Sequence, residues 1–136
     1  MIMVNSHMLN EMIKLANDNG IILIATADKN CIPHIAAAKR LSINNDCAAV
    51  EEWFCPCTME NISVNRNIAI VVWDNQADIG CQLIGKVQDV SDEAIMDGFL
   101  PGFEKFPPLP QVERQLLVKI EKILEFKLAP HSDIEE

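Results

Sequence analysis

Hydrophobic residues recur along this chain in two rhythms. Between Ser6 and Asn19, Met8, Met12 and Leu15 recur at intervals of four and three, the spacing that lines one face of a helix, and Gly20 supplies a stop. At Ile21 the rhythm changes. Ile21-Ile-Leu-Ile-Ala-Thr-Ala27 is an unbroken run rich in β-branched residues, the length of a buried strand rather than a helix. Asp28-Lys29-Asn30 is turn chemistry, so a second strand, from about Ile32 to Ile43, is expected to pair back as a hairpin. Pro33 near its start marks an entry or edge position.

Asn44-Asn45-Asp46 turns the chain again, and Cys47-Ala-Ala-Val-Glu-Glu-Trp-Phe54 forms the third strand. Pro56 breaks it. Thr58 then reads as the N-cap of a short helix, without the Glu or Gln that would complete a capping box. Ile68 to Trp73 is the fourth strand and Gly80 to Val90 the fifth. Gly85, inside the fifth, predicts a bulge or a close backbone approach. Ser91 is placed to cap a helix over Asp92 to Phe99. The proline-rich loop Pro101 to Pro110, with Gly102, Phe103 and Phe106, is apolar enough to be expected to pack onto the body of the protein.

The last periodic segment fits two templates. Leu116, Ile120 and Leu124 have helical spacing, while Val118, Ile120 and Lys122 to Phe126 also alternate as a strand. Strand runs joined by short turns favour an antiparallel barrel over a βαβ sheet.

Composition narrows the class. A 136-residue chain that is 49% hydrophobic supports one core, so residues 1–136 read as a single domain. Mean hydropathy is only +0.11, and no apolar run approaches the roughly 20 residues a membrane span requires. The N-terminal residues show no basic stretch leading into an apolar core, so the expected location is the cytoplasm. The net charge of −9 disfavours nucleic acid, whose binding depends on neutralising phosphates. A small anion remains compatible, because a local cluster of donors overrides a distant field. Five cysteines, Cys31, Cys47, Cys55, Cys57 and Cys81, are an odd set that reads as reduced thiols.

No nucleotide-binding, nucleophile-elbow or zincin motif is present. His7, His34 and His131 lie far apart, and His34 reads as an ordinary barrel residue. The sharper feature is Cys55-Pro-Cys-Thr58. A strand running into a threonine-led helix presents unpaired N–H groups and a hydroxyl at one point, which suits an anion. Lys39 and Arg40 would add positive charge if their strand lies beside the third. The alternative is that Thr58 only caps its helix and Lys39 only solvates an edge; the residues alone leave both open. A second alternative is a zinc site built from Cys31, His34, Cys55 and Cys57, four ligands of the right kind in an unusual spacing.

Three segments together resemble the pyridoxamine 5′-phosphate oxidase-like family, in which FMN sits on a split barrel. Ile24-Ala-Thr-Ala-Asp28 followed by Pro33-His34-Ile35 is similar to its opening hairpin. Phe54-Cys-Pro-Cys-Thr-Met-Glu-Asn61 resembles the stretch ending in Thr-x-x-Asn-(Leu/Ile), and Gly80-Cys-Gln-Leu-Ile-Gly-Lys-Val87 its following strand. The match runs from about Ile21 to Val90. It implies a mainly β fold with a few helices: a six-stranded antiparallel Greek-key split barrel of FMN-binding type, with the last segment as a strand.

Residue by residue, the resemblance implies that Ala37, Ala38 and Lys39 line the cofactor. It sets Glu52 and Trp53 beside the isoalloxazine, Cys57 and Thr58 on the phosphate, Asn61 in support of the turn, and Gln82 toward the flavin across a homodimer interface. Two positions depart from the family pattern. Cys57 stands where relatives often carry lysine or arginine, and Ala36 to Ala38 where they often carry polar residues, so phosphate affinity would rest on Lys39, Arg40 or backbone N–H groups. The implied function is a flavin-dependent oxidoreductase or electron carrier. A non-enzymatic domain on the same fold, holding a deazaflavin or haem, is the alternative.

Overall fold

In the computed structural model, residues 6–18, 21–44, 47–53, 56–96 and 111–130 are described. Helix α1 (Ser6–Asp18) leads into β1 (Ile21–Ala27), β2 (Pro33–Ala37), β3 (Arg40–Asn44) and β4 (Cys47–Trp53). Helix α2 (Pro56–Val64) follows, then β5 (Asn67–Asp74), β6 (Ile79–Met96) and β7 (Gln111–Glu125). All strand pairs are antiparallel, in a single sheet of order β2-β1-β5-β6-β7-β4-β3. Among the described residues no helix is long and apolar enough to cross a membrane.

Seven strands form where six were expected, because the segment from Ile32 to Ile43 is divided. β2 and β3 lie at opposite ends of the sheet, yet only Ala38 and Lys39 separate them in sequence. The two amides show how this is possible. Ala38 N–H donates to the Ile22 carbonyl of β1 (3.0 Å), and Lys39 N–H donates to the Glu51 carbonyl of β4 (2.7 Å). Consecutive residues thus bond to the two ends of the sheet, and the sheet curls until those ends meet at a seam.

Strand alternation builds the core. In β1 and β5 every second residue is buried: Ile22, Ile24 and Thr26 in one, Ile68, Ile70 and Val72 in the other. Leu41, Ala48, Val50, Leu83, Leu116 and Val118 continue this interior. Helix α1 lies against β3 and β5. Its buried stripe is Leu9, Met12 and Ala16, with Leu15 partly buried beside it. The α1 side chain Asn17 also occupies the free edge of β3: Nδ2 donates to the Leu41 carbonyl (2.9 Å), and Leu41 N–H donates to Oδ1 (3.3 Å). The amide takes the place of a further strand and covers the edge.

The turn at Asp28 forms as expected, with Asp28 Oδ1 accepting from the Asn30 and Ile32 amides (2.8 and 2.9 Å). The helix expected over Asp92 to Phe99 does not form through Met96, because β6 continues that far as a strand. Ser91 and Asp92 pair with Gln115 and Arg114 of β7, so the ladder takes the backbone groups that a helix would have used. The final segment is β7, a strand, which settles its double periodicity. Phe99 and the loop Pro101 to Pro110 lie outside the described residues.

Gly85 sits at a register shift between β6 and β7. A Cβ there would collide with the Lys119 carbonyl oxygen. The close approach that an isolated glycine in a strand predicts is therefore made by the neighbouring strand.

Candidate functional site

The seam, the end of β4 and the start of α2 lie close along the chain. Two residues, 54–55, link Trp53 to Pro56, so α2 starts within about 11 Å of the end of β4. β4 in turn carries the Glu51 carbonyl that receives Lys39 N–H. β3 pairs with β4 at Arg40↔Glu51, where Arg40 Nη1 lies 3.7 Å from Glu51 Oε2. The strand of Arg40 therefore does lie beside the third predicted strand. Arg40 is two-thirds exposed, so this pair is screened and the guanidinium stays accessible. Lys39 is exposed, as is Ala37 on the outer edge of β2, while Ala38 is half-buried against the core.

The first turn of α2 differs from its expected form. The helix begins at Pro56, so Thr58 lies inside the first turn instead of capping it. Proline suits that first position, having no N–H to leave unpaired. The amides of Cys57 and Thr58 belong to the set that a helix start leaves without intrahelical partners, and the Cys57 side chain is exposed. Thr58 is fully buried.

Under α2 lies a polar cluster. The face of α2 that packs inward carries Thr58, Asn61 and Ile62. Asn61 Nδ2 donates to Thr26 Oγ1 across 3.0 Å, fixing the helix onto β1. Thr26 pairs with His34 of β2. Thr58 Oγ1 and His34 Nδ1 are both buried and have no hydrogen-bond partner. An unpaired buried hydroxyl costs about 1–3 kcal/mol. Thr58→Val is accordingly expected to stabilise the ligand-free protein by about 1 kcal/mol in urea unfolding. A destabilised variant would show that the hydroxyl is satisfied after all, by an internal water for example.

The remaining candidates divide. The backbones of Glu52 and Trp53 pair with Arg114 and Glu113 of β7 at the end of β4; their side chains lie outside the described set. Gln82 is not with the others. It stands half-buried on β6, the middle strand, three strands from either side of the seam. It lies in a row across four strands, Leu23–Val71–Gln82–Leu124.

Around Gln82 the outward positions are mostly apolar, Lys122 beside Leu124 being the exception. Ala25 and Ala69 form the adjoining pair, and Trp73 ends the row on β5. The Trp73 Nε1 donates to Asp78 Oδ1 (3.2 Å), and its ring meets Phe126 edge-on at 5.6 Å.

The zinc alternative does not assemble. Among the described residues no group of three or more His, Cys, Asp or Glu is placed to hold a metal, so Cys31, His34 and Cys57 are not brought together. Cys55 and His131 lie outside the described residues, as does the side chain of His7. Cys31, Cys47, Cys57 and Cys81 carry thiols that are not joined in disulfides.

Sequence reasoning missed Thr26 as the anchor of α2. Its signal was present, a polar residue continuing the inward row of Ile22 and Ile24.

No protein-family model matches the chain, and no curated protein matches it in sequence. Solved structures do match in shape. HupZ of Group A Streptococcus superposes with a TM-score of 0.60 at 18% identity, over 88% of this chain and 94% of that one. A general stress protein 26-related protein of Clostridium acetobutylicum, of the pyridoxinephosphate oxidase family, gives 0.59 at 16% identity, over 92% of each chain. An FMN-binding protein of Syntrophomonas wolfei gives 0.58 at 20% identity, over 91% of this chain and 92% of that one. The chain has the split-barrel fold of the pyridoxamine 5′-phosphate oxidase-like, FMN-binding proteins.

Proposed function

We propose that this split barrel binds FMN and acts as a homodimeric flavin-dependent oxidoreductase or electron carrier on a small substrate. The observation that carries the reading is the seam. Cationic Lys39 and Arg40 lie there beside β4, which runs within two residues into the α2 amides that lack intrahelical partners. These donors fit a phosphate monoester: charged groups and helix-start amides both favour an anion, and the buried Thr58 hydroxyl has a spare hydrogen bond. Cys57 adds an exposed thiol but no charge, so the cationic contribution falls to Lys39 and Arg40.

In this reading Lys39, Arg40, Cys57 and Thr58 would hold the phosphate end. Ala37 and Ala38 would lie along the cofactor, with Glu52 and Trp53 beside its ring. Asn61 keeps α2 in place through Thr26. When bound, FMN supplies the redox chemistry, and the protein supplies orientation and electrostatics.

The outer sheet face supports the dimer part of this reading. Leu23, Val71, Trp73 and Leu124 make an apolar surface there, and apolar patches of this kind mark contact sites. Gln82 lies at its centre, where it would serve the cofactor of the partner copy.

Fluorescence titration with FMN and with riboflavin tests the phosphate contacts. FMN is expected to bind at least about tenfold more tightly, one charge-assisted contact being worth about 1.5–3 kcal/mol. Lys39→Gln with Arg40→Gln should close most of that gap. Equal affinities for the two flavins in the unmodified protein would refute this assignment.

A further inference from the structure

A second feature of the outer face stands apart from the seam. Register places Asn67, Lys86, Lys119 and Cys47 in one row across β5, β6, β7 and β4. Directly paired residues in an antiparallel ladder project to the same face, so Lys86 and Lys119 stand side by side, both exposed. Lys122 pairs with Ile84, two residues before Lys86, and joins them on that face.

Three of the chain's 11 lysines and arginines therefore gather at one place in a protein of net charge −9. None of the three makes an ion pair among the described residues. Glu121, next to Lys122 in sequence, sits in the register shift and is paired with none of them. Like charges directly opposite each other on a ladder are unfavourable. Here that arrangement occurs in a chain with ample carboxylates to relieve it.

Beside the lysines is a groove of about 280 Å³. Ala25, Ala27, Pro33, Ile68, Ala69 and Ile84 give it an apolar lining, with Thr26 and Asn67 as polar groups. Asn67 and Ile84 belong to both features: Asn67 is the cross-strand partner of Lys86, and Ile84 that of Lys122. Lys86 and Lys122 are thus the cross-strand neighbours of two lining residues on the β6–β7 side, with Lys119 one strand beyond Lys86. The volume lies just below the usual range for small-molecule sites, too small for a whole dinucleotide.

We propose that this groove binds a small amphipathic anion, its apolar body against the alanines and Ile84 and its carboxylate or phosphate between Lys86, Lys119 and Lys122. None of the three lysines belongs to the seam, but the groove adjoins the proposed flavin site and dimer face: Thr26, which lines it, anchors α2, and its Ala25–Ala69–Ile84 row lies next to Leu23–Val71–Gln82.

Calorimetric titration with 2-naphthoate, 2-naphthylmethanol and inorganic phosphate, on the unmodified protein and on Lys86→Gln and Lys119→Gln, tests it. Naphthoate is expected to bind at least about tenfold more tightly than the neutral alcohol or phosphate, and each substitution to weaken it severalfold. Both lysines are exposed, so the variants should fold; thermal unfolding should show them at least as stable as the parent, because a like-charge contact has been removed. The proposal is overturned by three outcomes: no naphthoate binding at millimolar concentration, equal binding of the neutral alcohol, or affinity unchanged in both variants. Binding of FMN, measured separately, bears on none of these.

Discussion

Gly85→Ala is expected to lower stability by about 3 kcal/mol, the upper part of the usual overpacking range. Within a strand, glycine normally costs conformational entropy, and alanine would be favoured by about 0.5–1 kcal/mol. The sign reverses here because the obstacle to a Cβ is the Lys119 carbonyl oxygen and the adjoining Ile120 Cα at 3.2 Å. These are backbone atoms of the paired strand and do not rotate away as a flexible side chain would. Either the β6–β7 ladder parts locally or the register shift moves, and this pair joins the two longest strands of the sheet. For a chain of this size the loss corresponds to a fall in Tm of about 10 °C. Calorimetry on the variant checks it. An unchanged or raised Tm would mean that the bulge relaxes without cost and that Gly85 has no steric role.

In the proposed dimer, Val71→Glu should separate the two copies into monomers. Val71 lies between Leu23 and Gln82 on the outer face, with the apolar Ala69 and Trp73 on either side of it along β5. In an isologous pair both copies of the substitution fall in the same interface. Each unpaired carboxylate removed from water there costs at least about 2 kcal/mol, so the two weaken association at least about a thousandfold. Within one subunit the position is partly exposed and stands outside the core, so folding should persist. Sedimentation velocity should give twice the 15.2 kDa chain mass for the parent and a single chain for the variant, with matching circular dichroism. A monomeric parent, or a variant that stays dimeric, would place the interface elsewhere or remove it.

Much of the fold was legible because one property recorded it, the alternation of residue types within short segments. The runs Ile21 to Ala27 and Ile68 to Trp73 show it most clearly, and both form strands with every second residue buried. Gly85 was legible for the same reason: glycine in a strand has few other causes. What failed depended on partners distant in sequence. The break at Ala38 and Lys39 arises because their amides bond to β1 and β4, the strands next to the two opposite ends of the sheet. No local pattern in Ile32 to Ile43 contains that information. The helix expected after Ser91 gave way to pairing with β7, a segment about twenty residues further along.

The candidate site divides in the same way. Thr58 and Asn61 could be placed on one helix from their spacing, and both are buried there. Which strand they meet was not written in that helix, so Thr26 went unnoticed. The lysine row is invisible in sequence, since Asn67, Lys86 and Lys119 become neighbours only through strand register. The separation of Gln82 from the seam is equally a matter of strand order.

The central claim is that the seam and α2 hold FMN, and the most direct test is the visible absorption spectrum of the protein loaded with FMN and then desalted. Retained flavin bands, at about one FMN per chain and perturbed from those of free FMN, are the predicted result. A colourless sample from folded, loaded protein would contradict the account, showing that with cysteine at position 57 and alanines at 36–38 the barrel no longer holds the flavin.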